Sequence, residues 1–258
     1  MAISIKTQRE IELMQESADI LIATHKYLAK FIQIGITTRE LDNLADKFIR
    51  NHNGIPSFKG LYGYPASACI SINEEVVHGL PCNRRLKNGD IVSIDMGVLY
   101  KGYHSDAART YAVGEVSKEV LELMRVTKQS FFEGIKFAKA GYHLGQICET
   151  IQNYVESHGY GIVRDLVGHG IGKSLHEDPQ VPNYKPKGRG AKLRPGMALA
   201  IEPMVNLGTW QVYTLKDNWT FVTRDGLPSA HYENTIIITE DEPLILTLDK
   251  QEKEHIYG

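Results

Sequence analysis

Two aspartates in one predicted β-hairpin have the types and spacing that most directly indicate chemistry in this sequence. Asp95 interrupts an otherwise apolar strand, and Asp106 lies on the returning strand. A turn at Tyr100-Lys101 would place the two directly opposite each other, and a turn at Lys101-Gly102 would make them diagonal neighbours. Either register puts both carboxylates on one face, where they repel each other unless a cation or a shared proton lies between them. The hairpin therefore indicates a metal site. The alternative is a pair of solvated aspartates on an edge strand.

The composition is that of an ordinary globular protein. The chain has 258 residues, 42% of them hydrophobic and 23% charged, and a formal net charge of −2. This charge does not suggest a specific nucleic-acid partner. Three cysteines (Cys69, Cys82 and Cys148) lack the spacing of a zinc site. The N-terminus has no signal-peptide pattern, and no apolar run is long enough to span a membrane. We therefore expect a cytoplasmic protein without a membrane partner.

Four helices are predicted, in two pairs. Capping boxes at Thr7–Glu10 and Thr37–Glu40 start the first two, and the apolar stripe of the first continues to Ile32. The second pair is predicted over residues 117–139 and 143–158. Each pair precedes strands that carry acidic residues.

The remaining segments are predicted to be strands and loops. Residues 56–65 are aromatic and rich in Gly and Pro, which is typical of a loop that forms a pocket wall. Residues 178–195 contain four prolines and two glycines and are predicted to be mostly loop. Besides the hairpin, strands are predicted at 68–72, 197–202, 210–215, 219–224 and 233–239.

An internal repeat relates the two parts of the chain. Residues 86–98 resemble residues 193–205 at an offset of 107, and this alignment pairs Asp95 with Glu202. The two helix pairs recur at nearly the same offset. A chance match of one short segment would not explain this second agreement.

The repeat predicts an α/β fold of two similar halves, approximately residues 7–113 and 117–248, within a single catalytic domain over residues 1–258. An approximate two-fold axis would bring the acid-bearing strands of both halves to one centre. Oxygen ligands with one or two imidazoles suit Mn²⁺, Fe²⁺, Co²⁺ or Zn²⁺, and two such ions form a hydrolytic site. The converging carboxylates would be those of Asp95, Asp106, Glu202 and Glu233.

Seven residues in a fixed order resemble the type I methionine aminopeptidases of bacteria. The resemblance extends from Thr7 to about Leu248 and includes the surrounding segments Ser71–Gly79, Gly168–Gly172 and Tyr232–Thr235. It implies the pita-bread fold, in which two pseudo-two-fold-related halves form an antiparallel sheet covered by helices. The seven residues are His78, Asp95, Asp106, His169, His176, Glu202 and Glu233.

The resemblance also implies a metal centre and an activity. Two divalent ions (Co, Mn, Fe(II) or Zn) would catalyse hydroxide attack on the first peptide bond. This reaction removes the initiator methionine from nascent polypeptides with a small second residue, a pattern that Met1-Ala2 of the chain itself has. The implied partners are nascent N-termini and, transiently, the ribosome, with the protein acting as a monomer. The implied metal ligands are Asp95, Asp106, His169, Glu202 and Glu233.

Three residues receive catalytic roles by the same resemblance. Glu202 would accept a proton from the attacking water and pass it to the leaving amine. His176 would donate a hydrogen bond to the substrate carbonyl and the developing oxyanion. His78 would contact the scissile amide or the substrate backbone.

An apolar pocket for the methionine side chain is expected next to these residues, although plain core packing would explain each of its members equally well. Three members depart from the family, in which aromatics are common at the positions of Leu61 and Leu175 and a cysteine at that of Phe58. Asn234 replaces a frequent histidine, which could alter metal preference, and His231 is a further candidate to contact the ligands. The expected lining residues are Phe58, Leu61, Tyr64, Cys69, Leu175 and Trp219.

Two other functions are considered. A dipeptidase or proline-specific peptidase could share the metal core, but those enzymes usually carry a large extra N-terminal domain, and this chain begins with the helices. A non-catalytic binding protein on the same fold would be expected to have lost metal ligands, and here all five are present.

Overall fold

Local capping interactions start the first two helices where the sequence predicts them. In the computed structural model, which describes residues 3–249, the hydroxyl of Thr7 accepts from Glu10 N and the carboxylate of Glu10 accepts from Thr7 N. The helix ends at Ala29, so the prediction that it reaches Ile32 is wrong. Met1-Ala2 lie outside the described residues. The helices are α1 (Gln8–Ala29), α2 (Thr38–Asn51), α3 (Lys118–Ile135) and α4 (Leu144–Ser157), with a short 3₁₀ turn at Leu61–Gly63.

Fifteen short strands form four antiparallel sheets within the described residues. The strands are β1 (Ile55–Pro56), β2 (Cys69–Ile72), β3 (Glu75–Val77), β4 (Ile91–Tyr100), β5 (Tyr103–Ala112), β6 (Gly161–Ile162), β7 (Gly168–Gly170), β8 (Glu177–Val181), β9 (Ala198–Ile201), β10 (Met204–Asn206), β11 (Val212–Thr214), β12 (Phe221–Thr223), β13 (Ser229–His231), β14 (Asn234–Ile237) and β15 (Leu244–Ile245). The first sheet has the order β1-β4-β2, and β5 also pairs with β4 along its whole length. The other three sheets have the orders β13-β10-β6, β11-β12-β3 and β15-β14-β9-β7-β8.

The turn of the β4–β5 hairpin decides the register of the two aspartates. Lys101 and Gly102 both have positive φ, +48° and +83°, as a tight two-residue hairpin turn requires. Asp106 is therefore opposite Gly97, and Asp95 is opposite Ala108. The diagonal arrangement is confirmed, and the directly opposed one is wrong.

Several element boundaries differ from the sequence-based expectation. Helix α3 ends at Ile135 rather than near residue 139, and β8 extends into the segment expected to be loop. Strand β9 ends at Ile201 and β14 begins at Asn234, so Glu202 and Glu233 lie one residue beyond their strands. This position suits ligands, because a side chain at a strand end is freed from the alternation of the pleat.

Each helix pair covers a separate part of the sheet structure. Helix α1 packs on β4 and β5, whereas α3 packs on α4, β10 and β13. One core cluster lies between the first helices and the hairpin, and another lies among α3, α4 and the later strands. The boundaries of the two repeats remain a prediction. Nowhere in residues 3–249 does a helix have the length and apolar character needed to cross a membrane.

Candidate metal centre and adjoining cavity

Four carboxylates from two different sheets converge at one place. Asp95 and Asp106 come from the β4–β5 hairpin, and Glu202 and Glu233 come from the ends of β9 and β14. Two backbone contacts dock the hairpin onto the five-stranded sheet. Asp106 N donates to Thr235 Oγ1 at 2.9 Å, and Glu233 N donates to the Ala108 carbonyl at 3.0 Å.

His169 on β7 presents one ring nitrogen to this group. Its Nδ1 lies 2.9 Å from the carbonyl of Gly170, which only accepts, so Nδ1 carries the proton. The unprotonated Nε2 then faces Asp106 Oδ2 at 3.7 Å and Glu202 Oε1 at 3.9 Å. Burial lowers the pKa of His169 to about 3, which keeps the imidazole neutral and its Nε2 lone pair available to a cation.

The cluster itself contains no positive charge that would balance its four carboxylates. Burial and the neighbouring carboxylates raise the pKa of Asp106 and Glu233 well above the usual range, as they do for Glu202. Burial raises the pKa of Asp95 to about 7. Among the described residues, buried oxygens without a hydrogen-bond partner include Asp95 Oδ1, Asp106 Oδ1 and Glu233 Oε1.

This donor set fits divalent cations. Ligand atoms of Asp106, His169 and Glu233 all lie within 4.8 Å of one another. Oxygen donors with one imidazole are the ligands that Mn²⁺, Fe²⁺, Co²⁺ and Zn²⁺ accept, and cations remove the repulsion that raises the carboxyl pKa values.

One cavity of about 110 Å³ brings together all thirteen residues that the sequence analysis proposed as site residues. Its apolar end is lined by the six expected residues, including Tyr64 and Trp219, whose rings meet edge to face at 5.0 Å. Cys69 reaches it because it is paired with Asp95 in the β2–β4 register and so faces the same side. The cavity thus places an apolar recess directly beside the carboxylates.

His78 lines the cavity and has an unusual backbone conformation. It has φ +58°, a conformation that costs a non-glycine residue about 1–3 kcal/mol. The next residue, Gly79, is pressed onto β2, since a Cβ there would lie 2.3 Å from the Ile70 carbonyl oxygen. The ring of His78 meets Phe221 edge to face at 5.7 Å. Strain of this kind is expected where a side chain must point to a site against local preference.

His176 lies near the carboxylates, and one neighbour of it was missed by the sequence analysis. The ring centroids of His176 and His169 are 4.4 Å apart, and the ring of Tyr62 stacks with that of His176 at a centroid distance of 5.9 Å. Tyr62 is 76% exposed and lines the cavity. The signal in the sequence that could have identified Tyr62 is its position in the aromatic, Gly- and Pro-rich loop of residues 56–65.

Three residues behind the cluster support its geometry. His231 is buried, with Nε2 3.7 Å from Glu202 Oε2. Arg109 donates to the Glu233 carbonyl at 2.6 Å and to Asn234 Oδ1 at 2.8 Å. Asn234 thus contributes to an arginine network that fixes the backbone of Glu233.

Known proteins share both the sequence and the architecture of this chain. A sequence model of metallopeptidase family M24 matches residues 12–240. A methionine aminopeptidase of Clostridium perfringens is 55% identical over 96% of this chain and 100% of its own length. The chain belongs to metallopeptidase family M24, among its methionine aminopeptidases. It is therefore a hydrolase of the metalloaminopeptidase class, and membership of the family implies that it uses a divalent metal.

Solved structures of M24 proteins confirm the fold. The methionine aminopeptidase of Thermotoga maritima superposes with a TM-score of 0.94 at 46% identity and covers 96% of this chain and 100% of that one. An Xaa-Pro dipeptidase of Bacillus anthracis superposes with a TM-score of 0.77 at 27% identity and covers 95% and 62%. The predicted pita-bread α/β fold is thereby confirmed.

Proposed function

We propose that this M24 enzyme removes the initiator methionine from nascent polypeptides with a small second residue, at a centre of two divalent ions. The observation that carries the proposal is the convergence of four carboxylates and one imidazole beside an apolar recess. In this proposal the ligands are Asp95 and Asp106 from the first part of the chain and His169, Glu202 and Glu233 from the second.

We propose two ions on the ground of charge. Two dications balance four carboxylates, and the donor set accepts Mn²⁺, Fe²⁺, Co²⁺ or Zn²⁺. When bound, such ions supply an activated water and polarise the scissile carbonyl. The protein residues then have to place the substrate and move protons.

We assign those tasks to three side chains. Glu202 lies at the junction of the cavity and a larger outer cavity of about 460 Å³, where its carboxylate can take a proton from water and return it to the leaving amine. His176 can donate one ring N–H to the carbonyl oxygen as negative charge develops there. His78 also lines both cavities and can hold the peptide backbone on either side of the scissile bond.

The recess suits a methionine side chain. Phe58, Tyr64 and Trp219 contribute aromatic rings to its lining, and a polarisable thioether gains from contact with such rings. The rest of the substrate would leave through the outer cavity, past His78 and Glu202. We also propose that the enzyme acts in the cytoplasm as a monomer, in transient contact with the ribosome from which its substrates emerge.

A tripeptide assay tests the proposal. Met-Ala-Ser should release free methionine when Co²⁺, Mn²⁺ or Fe²⁺ is added to the chelator-treated protein, and Met-Leu-Ser should be cleaved far more slowly. No release from folded protein with any of these metals would refute the activity.

The ligand assignment is tested by Asp95→Asn. This variant should lose metal-dependent cleavage and weaken metal binding measured by titration calorimetry, because an amide is a poor ligand. The surface variant His52→Gln should behave as the wild type. Retained activity in Asp95→Asn would exclude its role as a ligand.

A further inference from the structure

The segment that precedes α1 contacts the loop that carries His176. The side chain of Lys6 is only 5% exposed, and its ammonium forms an ion pair with Glu177, with Nζ and Oε2 2.6 Å apart. The hydroxyl of Ser4 donates to the same carboxylate oxygen at 2.6 Å and also accepts from Lys6 Nζ. The backbone N–H of Lys6 donates to the Gly196 carbonyl at 2.7 Å. Lys6 is therefore fixed at both its main chain and its charged end.

The loop from Gly172 to Glu177 is closed around this ion pair. Ser174 N donates to Glu177 Oε1 at 3.2 Å, and His104 N donates to the Gly172 carbonyl at 2.8 Å. A Cβ on Gly172 would lie 2.5 Å from Lys6 Cε and 2.6 Å from Glu177 Oε1. The lysine thus fills the space directly beneath the loop backbone.

Two site residues lie within that loop, immediately before Glu177. Leu175 is buried in the apolar recess, and His176 faces His169 with 4.4 Å between ring centroids. Any movement of the Glu177 backbone would move both residues, because a peptide chain transmits such a movement to its nearest neighbours.

We propose that Lys6 is a positioning residue: through its ion pair with Glu177 it holds the 172–177 loop so that His176 and Leu175 face the substrate cavity. This inference rests on the proposed function for its effect on turnover, but its structural part does not. Lys6 itself does not line the cavity.

Loss of the Lys6 ammonium is expected to displace the loop, for an energetic reason. Lys6 is buried and Glu177 is partly buried, with 5% and 18% of their side-chain surfaces exposed. Removing the ammonium leaves the partly buried carboxylate without its cation, which costs stability. Among residues 3–249, the hydrogen-bond donors left to Glu177 once the ammonium is gone are the neutral groups of Ser4 and Ser174. Because the loop can relieve this cost by moving its carboxylate towards water, the expected response is local displacement.

The test compares Lys6→Met with Lys6→Arg. In Lys6→Met we expect kcat for Met-Ala-Ser to fall by about tenfold to a hundredfold, since misplacement of a catalytic group by about 1 Å has effects of this size. KM should rise as Leu175 leaves the recess. Lys6→Arg, which keeps the charge, should recover most of kcat. Lys101→Met, which breaks the exposed Lys101–Glu16 pair, is the matched control and should equal the wild type.

A second readout does not depend on turnover. In the metal-free protein, the imidazole ¹H–¹⁵N signals of His176, assigned with His176→Gln, should move or broaden in Lys6→Met, while those of the distant His25 stay in place. If Lys6→Met does not fold, Lys6→Gln replaces it. Unchanged His176 signals together with kcat within about twofold of the wild type would overturn the proposal. If the wild type releases no methionine, the proposed function fails, and the His176 signals still decide the positioning role.

Discussion

Single side chains explain why the candidate centre requires cations. The carboxylates of Asp106 and Glu233 are buried, and hydrogen bonds do not satisfy all of their oxygens. Like charges in such a place raise one another's pKa, and a carboxyl whose pKa is higher in the folded protein than in the unfolded chain lowers the stability of the fold at neutral pH. The metal-free protein is therefore destabilised by the same residues that would bind the metal.

Asp106→Asn should separate these two effects. Without metal at pH 7, the variant should unfold at a higher temperature than the wild type, by about 2–4 °C for each kcal/mol of repulsion relieved. With added Mn²⁺ the order should reverse, because the variant has lost a ligand. Calorimetric scans of both proteins with and without metal measure this, and a lower melting temperature of the metal-free variant would contradict it.

His25 should make stability depend on pH. It is buried, with Nε2 3.0 Å from the Ala107 carbonyl, and burial together with Arg109 lowers its pKa to about 3. In the unfolded chain a histidine takes up its proton near pH ~6.5. The contribution of His25 to stability is thus complete above about pH 6.5 and is lost as the pH falls towards 3, by at most about 1.4 kcal/mol per pH unit.

Urea unfolding between pH 5 and pH 7 tests this dependence. His25→Leu should reduce the slope of the unfolding free energy against pH. Tyr111→Phe is the control, since it removes the hydroxyl 3.3 Å from His25 Nδ1 and keeps the imidazole. Equal slopes in His25→Leu and the wild type would show that another group is responsible.

Among the elements, the β4–β5 hairpin has one face in the site and the other in the core. Asp95 and Gly97 point to the site side, and Met96 and Val98 are buried in the core of the first half. Gly97 has no side chain where Phe58 approaches, since a Cβ there would lie 3.0 Å from Phe58 Cε1 and 2.8 Å from Ser57 Cβ. The shape of the apolar recess therefore depends on a glycine in the strand that carries Asp95.

Gly97→Ala should push Phe58 into the recess. We expect KM for Met-Ala-Ser to rise by about tenfold, the equivalent of about 1.4 kcal/mol of binding, with metal affinity unchanged. Val98→Ala on the opposite face should lower stability without changing KM. Steady-state kinetics and metal titration measure both variants, and an unchanged KM in Gly97→Ala would exclude this role of Gly97.

For the whole molecule, the candidate centre lies where two sheets meet. Asp95 and Asp106 belong to the hairpin sheet, whereas His169 belongs to the five-stranded sheet whose strand ends carry Glu202 and Glu233. A cation bound by both sheets binds the folded protein and not the unfolded chain, so it must stabilise the fold.

Chelation should consequently lower the melting temperature. At a free metal concentration of about a hundred times the Kd, the expected stabilisation is about 2.7 kcal/mol. Scanning calorimetry with Mn²⁺ and with excess chelator measures the difference. Asp95→Asn should show little or none of it, and an equal change in this variant would indicate that the metal binds elsewhere.

The sequence alone predicted where the first two helices begin, limited the register of the two aspartates to two possibilities and, through the family resemblance, gave thirteen candidate site residues. The helix starts and the hairpin depend on local chemistry: capping boxes at Thr7 and Thr37, a short turn, and carboxylates in apolar strands whose burial favours a cation. The histidines and the pocket residues were available only through the resemblance. The repeat extended this reasoning to Glu202, because a second copy of a segment is expected to occupy an equivalent place.

Only the tertiary structure decided which distant residues support the site. Nothing in the sequence brings Lys6 to Glu177 or Tyr62 to His176, since each contact joins segments far apart in the chain and depends on how the sheets pack. The turn at Lys101-Gly102 was likewise selected from two possibilities only when the whole strand pair formed. The candidate ligands could be predicted from residue types and the family resemblance, but the residues that hold them in place follow from packing, which local chemistry does not specify.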